Sequence, residues 1–183
     1  MTDTKSLFIV VSQTNTLTSR IIQFYTRAPF NHISLSLDEN LDRMYSFARR
    51  NPPRAFPSGF MQESMEKSLF GMMDYVPCQI YKLNVSDNQY NSVMRIIDEF
   101  NKISDDYKFN VLGFVSMILK LKLRRAKRFM CSQFVAYVLS NSEIIDFGKD
   151  YSLVTPEDIR TNENLVMVFD GNLKEYVNRK VLA

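Results

Sequence analysis

Residue types that commonly carry chemistry are scarce in this chain of 183 residues. It contains one histidine, two cysteines and no tryptophan. A zinc site of the usual kind needs four cysteine or histidine ligands, so these three residues cannot supply one. We therefore expect a protein without a metal or other cofactor, in which any step that needs an imidazole uses His32.

Long apolar runs and flexible, glycine-rich stretches are also lacking. Five glycines and six prolines exclude collagen-like and linker-rich architectures. The longest apolar stretch, residues 111–119, is about half the length of a membrane-spanning helix. The apolar run 7–11 is too short for the core of a signal peptide. Cys78 and Cys131 do not form a disulfide framework, and together these observations predict a cytoplasmic protein.

What the sequence does contain is enough apolar and aromatic residues for one ordinary core. Hydrophobic residues make up 45% of the chain and aromatic residues 13%, with a net charge of only +3. No repeat or linker divides the chain, so we predict a single domain spanning residues 1–183. Strand and helix patterns are interspersed, which predicts the α+β class with an antiparallel sheet packed against helices. We expect strands at 7–12, 31–37, 44–48 and 79–85, helices at 16–27, 86–103, 109–119, 129–140 and from 155, a loop at 51–59, and a closing hairpin at 165–177.

The segment 31–37 alternates between two kinds of side chain. Ile33, Leu35 and Leu37 share one face of the expected strand, and His32, Ser34 and Ser36 share the other. We predict that the first face lies in the core and the second lines a cleft. A lone histidine is often a hydrogen-bonded core residue, and that alternative stays open for His32.

Cys131 lies at the start of an expected helix, directly after a basic residue, Arg128, and two apolar ones. Free N–H groups and the positive end of the helix dipole favour a thiolate there, and the same amides can bind an oxyanion. The alternative is an inert, buried helix cysteine. Cys78 beside a strand fits that inert description better.

A cysteine nucleophile needs a base within reach and a polar group that orients the base. If the hairpin turns near Glu39, Ser46 comes opposite His32, which makes Ser46 the candidate orienting residue and Tyr45 the second choice. Gln13 is a candidate oxyanion donor or an ordinary loop residue. The spacing allows Glu63 to reach the site but does not require it.

Six cations stand in nine residues between Lys120 and Arg128. Such a run is often plain solvated surface. Its place just before Cys131 raises two other possibilities, attraction of an anionic substrate and contact with an acidic membrane surface. We expect the run to be exposed beside the entrance of the cleft. Nucleic acid is not an expected partner, because the net charge is small and no recognised module accompanies the run.

The run from residue 7 to 37 and the segment MCSQFVAYVL around Cys131 resemble the YiiX-like proteins. These are circularly permuted relatives of NlpC-type, papain-like cysteine peptidases, and lecithin retinol acyltransferase shares their order. The resemblance implies a permuted papain-like fold, with His32 and Cys131 matching the family histidine and cysteine. The family's third, polar residue falls on 44–47, where Ser46 is the nearest match and no carboxylate is present.

The resulting hypothesis is a cysteine hydrolase that cleaves an amide or ester bond through Cys131, His32 and Ser46. The relatives suggest small peptide, amide or acyl-ester substrates. Two alternatives remain open, a lipid acyl hydrolase or acyltransferase, and a non-catalytic binding module on the same fold. Faster alkylation of Cys131 than of Cys78 separates an enzyme from a binding module.

Overall fold

The computed structural model describes residues 4–14, 29–50, 58–65, 68–110, 112–113, 119 and 121–181. The helix expected at 16–27 lies outside the described residues, as do most of the loop at 51–59 and most of the helix at 109–119. The described part is an α+β structure with one mixed, open sheet of eight strands and four helices. The strands are β1 Lys5–Ser12, β2 His32–Ser36, β3 Met44–Arg49, β4 Ser58–Glu63, β5 Pro77–Val85, β6 Lys108–Phe109, β7 Arg128–Phe129 and β8 Val166–Asn172, and the helices are α1 Asp87–Lys102, α2 Cys131–Asn141, α3 Pro156–Arg160 and α4 Leu173–Val181.

The sheet order is β7-β6-β4-β3-β2-β1-β5-β8. The strand pairs are antiparallel as expected, except that the short strands β6 and β7 run parallel. Strands β1 to β5 form the middle of the sheet, and β8 and β7 are its edges. The strand that begins with His32 is therefore held between two longer neighbours near the centre of the sheet.

The register of the β2–β3 hairpin differs from the expected one by two residues. Leu35 pairs with Tyr45 and Ser36 with Met44, so continuing this register brings Ser46 opposite Ser34, not opposite His32. The turn is longer because the Asp38 carboxylate accepts hydrogen bonds from the backbone N–H groups of Asp42 and Arg43 at 2.9 and 3.0 Å. The turn is thereby fixed around residues 38–43.

The two faces of the sheet bury different clusters, which confirms the predicted alternation of β2. Ile33, Leu35 and Leu37 belong to the larger core, where α1 and α2 pack on the sheet. Aromatic rings dominate its centre, with Phe100 and Phe134 at a centroid distance of 5.2 Å. The opposite face carries a smaller cluster covered by the 3-10 turn Leu69–Met72 and by α4.

Helix boundaries follow the capping signals in the sequence. Ser86 and Gln89 form a capping box at the start of α1, and Thr155 and Asp158 form one at the start of α3. Each box satisfies backbone N–H groups that the first turn of a helix leaves unpaired. The predicted starts of these two helices are confirmed.

Two expectations near the ends of helices are wrong. Residues 173–177 are the first turns of α4, not the second strand of a closing hairpin, and β8 pairs with β5 instead. The Asn172 side chain accepts a hydrogen bond from the N–H of Lys174 at 3.3 Å, which favours helix entry at this point. Phe129, expected in a helix, ends β7, so α2 begins only at Cys131.

Candidate active site

The first strand of the hairpin places His32 at its beginning, and a buried side chain fixes that position. The Asn31 side chain accepts hydrogen bonds from the N–H and the hydroxyl of Thr14, at 3.0 and 2.9 Å. The backbone pairs Ser12 of β1 with His32. Asn31 is thus tied to the residues that follow β1. This fixes the position of the neighbouring His32 at the start of β2.

A carboxylate binds the imidazole from two strands away. Glu63 Oε1 lies 2.9 Å from His32 Nε2, and both side chains are largely buried, at 2% and 11% exposed. The Ser34 hydroxyl donates a hydrogen bond to Glu63 Oε2 and lies 3.3 Å from His32 Nε2. Because Nε2 is occupied by these groups, Nδ1 is the ring nitrogen left to face another partner.

Cys131, the first residue of α2, lies near this imidazole. Its sulfur lies close enough to the imidazole to help raise the pKa of His32. Burial acts against the charged imidazole, but the charge of Glu63 and the contacts with Cys131 outweigh it and raise the pKa of His32 from 6.5 to about 10. At neutral pH the histidine is therefore an imidazolium between a carboxylate and a sulfur.

Glu63 shows the matching shift. Burial opposes its negative charge, yet His32 and the hydroxyls of Ser34 and Ser46 hold the pKa of the carboxyl below its usual range. The direction of both shifts is that of an ion pair in which the attraction between the charges exceeds the cost of removing them from water. Glu63 and His32 are therefore both charged over the middle of the pH range.

Buried polar side chains hold the start of α2 in place. Gln133 Oε1 accepts a hydrogen bond from the Met130 N–H at 2.9 Å, and Gln133 Nε2 donates to the Ser152 carbonyl at 2.9 Å. Asn110 Nδ2 donates to Gln133 Oε1 at 3.3 Å. Because Gln133 satisfies the N–H of the residue before Cys131, it fixes the first turn without using the amide of the cysteine itself.

The expected orienting residue, Ser46, lies elsewhere in the arrangement. It is fully buried near Glu63, but its hydroxyl forms no hydrogen bond within the part of the chain that the structure describes. The hydrogen bond to His32 that was expected from Ser46 is made by Glu63. The expectation that the site lacks a carboxylate is therefore corrected, because the carboxylate comes from β4 and not from β3.

The hydrogen bonds of the His32 side chain in the described part of the chain go to Glu63 and Ser34, and not to the other residues considered from the sequence. Tyr45 points into the larger core and stacks on Phe60 at 5.9 Å. The Gln13 N–H donates to the Pro77 carbonyl at 2.9 Å, and no described group bonds its side chain. Cys78 lies on the smaller cluster, where burial and then the charge of Asp170 raise the pKa of its thiol to about 12.

The site is more enclosed than the predicted cleft. Ser34 and Ser36 are buried, Cys131 is 5% exposed, and the ring of Phe70 lies 6.0 Å from that of His32. Ser12, opposite His32, is also fully buried, and its hydroxyl finds no hydrogen-bond partner among the described residues. The polar face of β2 is thus buried, and Ser12 beside it keeps a hydroxyl without a hydrogen-bond partner among the described residues.

The basic run is exposed over its described part, residues 121–128, apart from partial cover at three positions. Arg124 forms an ion pair with Asp150 at 2.5 Å and lies over the ring of Tyr151. Lys127 forms an ion pair with Asp106 at 2.6 Å. The predicted exposure is confirmed for Lys122, Arg124 and Lys127, whereas Arg125 and Arg128 are half-buried and residue 120 lies outside the described residues. β7 joins the run directly to the start of α2.

Nothing in the described residues suggests a metal or a membrane-spanning helix. No group of three or more histidine, cysteine or acidic side chains there is placed to hold a metal ion. None of the helices in the described ranges is long and apolar enough to cross a membrane. Comparisons with protein-family models, with curated proteins and with solved structures find no match to this chain.

Proposed function

We propose that this protein is a cysteine hydrolase that cleaves an amide or ester bond through Cys131, His32 and Glu63. The observation that carries the proposal is the buried ion pair between Glu63 and His32, with Cys131 near enough to the imidazole to help raise the pKa of His32. A nucleophile, a base and a group that orients the base are the three parts that thiol catalysis needs. The proposal replaces Ser46 with Glu63 as the orienting residue.

The proposed reaction has two steps. The Cys131 thiolate attacks the carbonyl carbon, and the leaving amine or alcohol takes its proton from the His32 imidazolium, which gives an acyl-enzyme. Water then attacks the acyl carbon, and its proton passes to His32, so that the acid is released and the thiolate and imidazolium return. Glu63 stays ionised throughout and holds Nε2, which leaves Nδ1 for proton transfer.

The start of α2 supplies the remaining component. The first N–H groups of a helix have no partner within the helix, and the dipole favours negative charge beside them. The N–H of Cys131 belongs to this first turn, and Gln133 fixes the turn through its hydrogen bond from the N–H of Met130. We assign these amides to the oxyanion that forms on the substrate carbonyl.

The chain order of the three residues also supports a permuted papain-like fold. The histidine strand precedes the nucleophile helix, and α2 packs across β2 and β3 from the larger core. In this proposal Glu63 takes the position of the family's third polar residue, one strand later than the sequence suggested. Both described cysteines are free thiols, which fits a reducing cytoplasm.

A burst experiment with an activated ester tests the proposal. p-Nitrophenyl acetate reports acyl-enzyme formation as a rapid release of nitrophenolate equal to the enzyme concentration. We expect the wild-type burst to vanish in Cys131→Ser and to persist in the matched control, Cys78→Ser. Mass spectrometry should find the acetyl group on Cys131. A burst that survives in Cys131→Ser, or an acetyl group on Cys78, would contradict the proposal.

The enclosure of the site favours a second candidate, a binding module that keeps the fold without turnover. Cys131 is only 5% exposed, and Ser34 and Ser36 on the polar face of β2 are buried as well. Such a module would give neither a burst nor selective labelling of Cys131. The same experiment therefore decides between the two candidates.

A further inference from the structure

The segment between β6 and β7 exposes large apolar side chains beside its cations. Leu112, Leu119 and Leu121 are 52%, 59% and 57% exposed. Single exposed leucines are ordinary, but Leu119 and Leu121, two residues apart and next to cations, form an apolar surface open to a partner. We define the lipid-facing patch as Leu119, Leu121, Lys122 and Arg125.

The charges of the patch favour an acidic partner. No described carboxylate forms an ion pair with Lys122 or Arg125, whereas Arg124 and Lys127 are held by Asp150 and Asp106. In the sequence, leucines at 119, 121 and 123 alternate with lysines at 120 and 122. Leucines that enter an apolar layer beside lysines that stay at its charged surface are typical of segments that lie on anionic membranes.

The fold fixes both ends of the segment next to the nucleophile helix. Asn110, at one end, donates to Gln133 of α2. At the other end, β7 pairs with β6 and leads within two residues to Cys131. The described ends of the segment therefore lie beside the first turn of α2.

We propose that the lipid-facing patch docks this protein onto a membrane surface rich in anionic phospholipids. The leucines enter the boundary between headgroups and acyl chains, and the unpaired cations contact lipid phosphates. The proposal goes beyond the cysteine hydrolase activity and does not depend on it, because docking needs neither the thiol nor His32.

Vesicle co-sedimentation tests the docking. Vesicles of phosphatidylcholine alone are compared with vesicles that contain 30% phosphatidylglycerol, about a third anionic lipid. We expect the wild type and Cys131→Ser to bind only the anionic vesicles, and to bind less as salt rises. Equal binding to both compositions, or no binding to either, would overturn the proposal whatever the burst experiment shows.

Two pairs of variants separate the apolar and charged contributions. Lys122→Glu with Arg125→Glu should weaken binding to anionic vesicles by about tenfold or more. Leu119→Ser with Leu121→Ser should weaken it to a similar extent, about tenfold, because less apolar surface enters the lipid. Circular dichroism checks that each variant keeps its fold, and unchanged binding in either pair would overturn the proposal.

Matched controls carry the same substitutions elsewhere. Arg95→Glu with Lys102→Glu alters exposed cations of α1, and Val166→Ser with Met167→Ser alters exposed apolar residues of β8. These variants should bind anionic vesicles like the wild type.

A soluble polyanion, polyphosphate, provides the last test. Polyphosphate binding as tight as that of the anionic vesicles, with Leu119→Ser and Leu121→Ser changing neither, would show that the patch binds polyanions in general. That result would overturn the membrane proposal.

Discussion

The two cysteines are almost equally buried, yet their surroundings differ in kind. Cys131 begins α2 beside an imidazolium, and Cys78 lies in β5 among apolar side chains with the nearest charge a carboxylate. Burial and then Asp170 both act against a thiolate at Cys78 and raise its pKa to about 12. The same degree of burial therefore produces an inert thiol in one region and a paired thiol in the other.

The polar residues around a buried thiol therefore matter more to its chemistry than its exposure does. Around Cys131 three side chains from three elements converge, from β2, β4 and α2. Around Cys78 the neighbouring strand offers Ser12, whose hydroxyl has no described partner. Placing a positive charge beside the sulfur is what a protein must do to use a thiol it has buried.

The largest expected effect is the difference in alkylation rate between the two thiols. The rise of the Cys78 pKa from 9.0 to about 12 lowers its thiolate fraction at pH 7 about a thousandfold. Iodoacetamide at pH 7 should therefore modify Cys131 at least about a hundredfold faster than Cys78. Peptide mass spectrometry over time measures both rates in one sample. Equal, slow labelling of the two cysteines would contradict the predicted difference in their reactivity.

Removing the imidazole should make the two regions alike. In His32→Ala the alkylation rate of Cys131 at pH 7 should fall about a hundredfold, because the imidazolium that would stabilise a thiolate is gone. The rate of Cys78 should not change, and it serves as the internal control. Identical rates for Cys131 with and without His32 would show that the two residues do not act as a pair.

Much of this contrast could be predicted from the sequence, because it depends on local patterns. The alternation along 31–37 gave the face of His32, and the residues around 131 gave a cysteine at a helix start. Caps such as Ser86 with Gln89 also act within one turn, so they are legible in the sequence. Each of these signals involves neighbours only a few residues apart.

Glu63 could not be assigned in the same way, because its role depends on contacts between distant strands. Glu63 lies at the end of β4 and reaches His32 across β3. The register of β4 against β3 could not be predicted, because no sequence pattern fixes how the segment before β4 connects the two strands. The longer turn capped by Asp38 moved Ser46 away from His32. The one available signal was a lone acidic residue close after a strand-like segment, which many exposed loops share.

Replacing Glu63 by Gln should change both rate and stability. We expect acylation to slow about tenfold, since the imidazolium loses its counter-charge but keeps a hydrogen-bond partner. The free energy of unfolding should fall by about 3 kcal/mol near pH 6, because one charge of a buried pair is left without its partner.

The pH dependence of that stability loss identifies the pair. His32 has a raised pKa, so its contribution is complete below 6.5 and is lost as the pH rises through about 10. Glu63 has a lowered pKa, so its contribution is present above 4.5 and is lost at more acidic pH. The difference in unfolding free energy between wild type and Glu63→Gln should be largest from pH 4.5 to 6.5 and shrink toward pH 10. A constant difference, measured by urea denaturation across this range, would contradict the ion pair.

The smallest effects should come from replacing the two serines near Glu63. The relative size of the two rate losses shows which serine supports the carboxylate. Ser34 donates a hydrogen bond to Glu63 Oε2, whereas Ser46 has no hydrogen bond in the described structure. Ser34→Ala should therefore slow acylation by about fivefold, the equivalent of one hydrogen bond of about 1 kcal/mol. Ser46→Ala should slow it less than about twofold, because only a nearby dipole is removed and no bond is broken. The burst rate with p-nitrophenyl acetate measures both variants. A larger loss in Ser46→Ala than in Ser34→Ala would return the orienting role to β3, as the sequence first suggested, and would take it from Glu63.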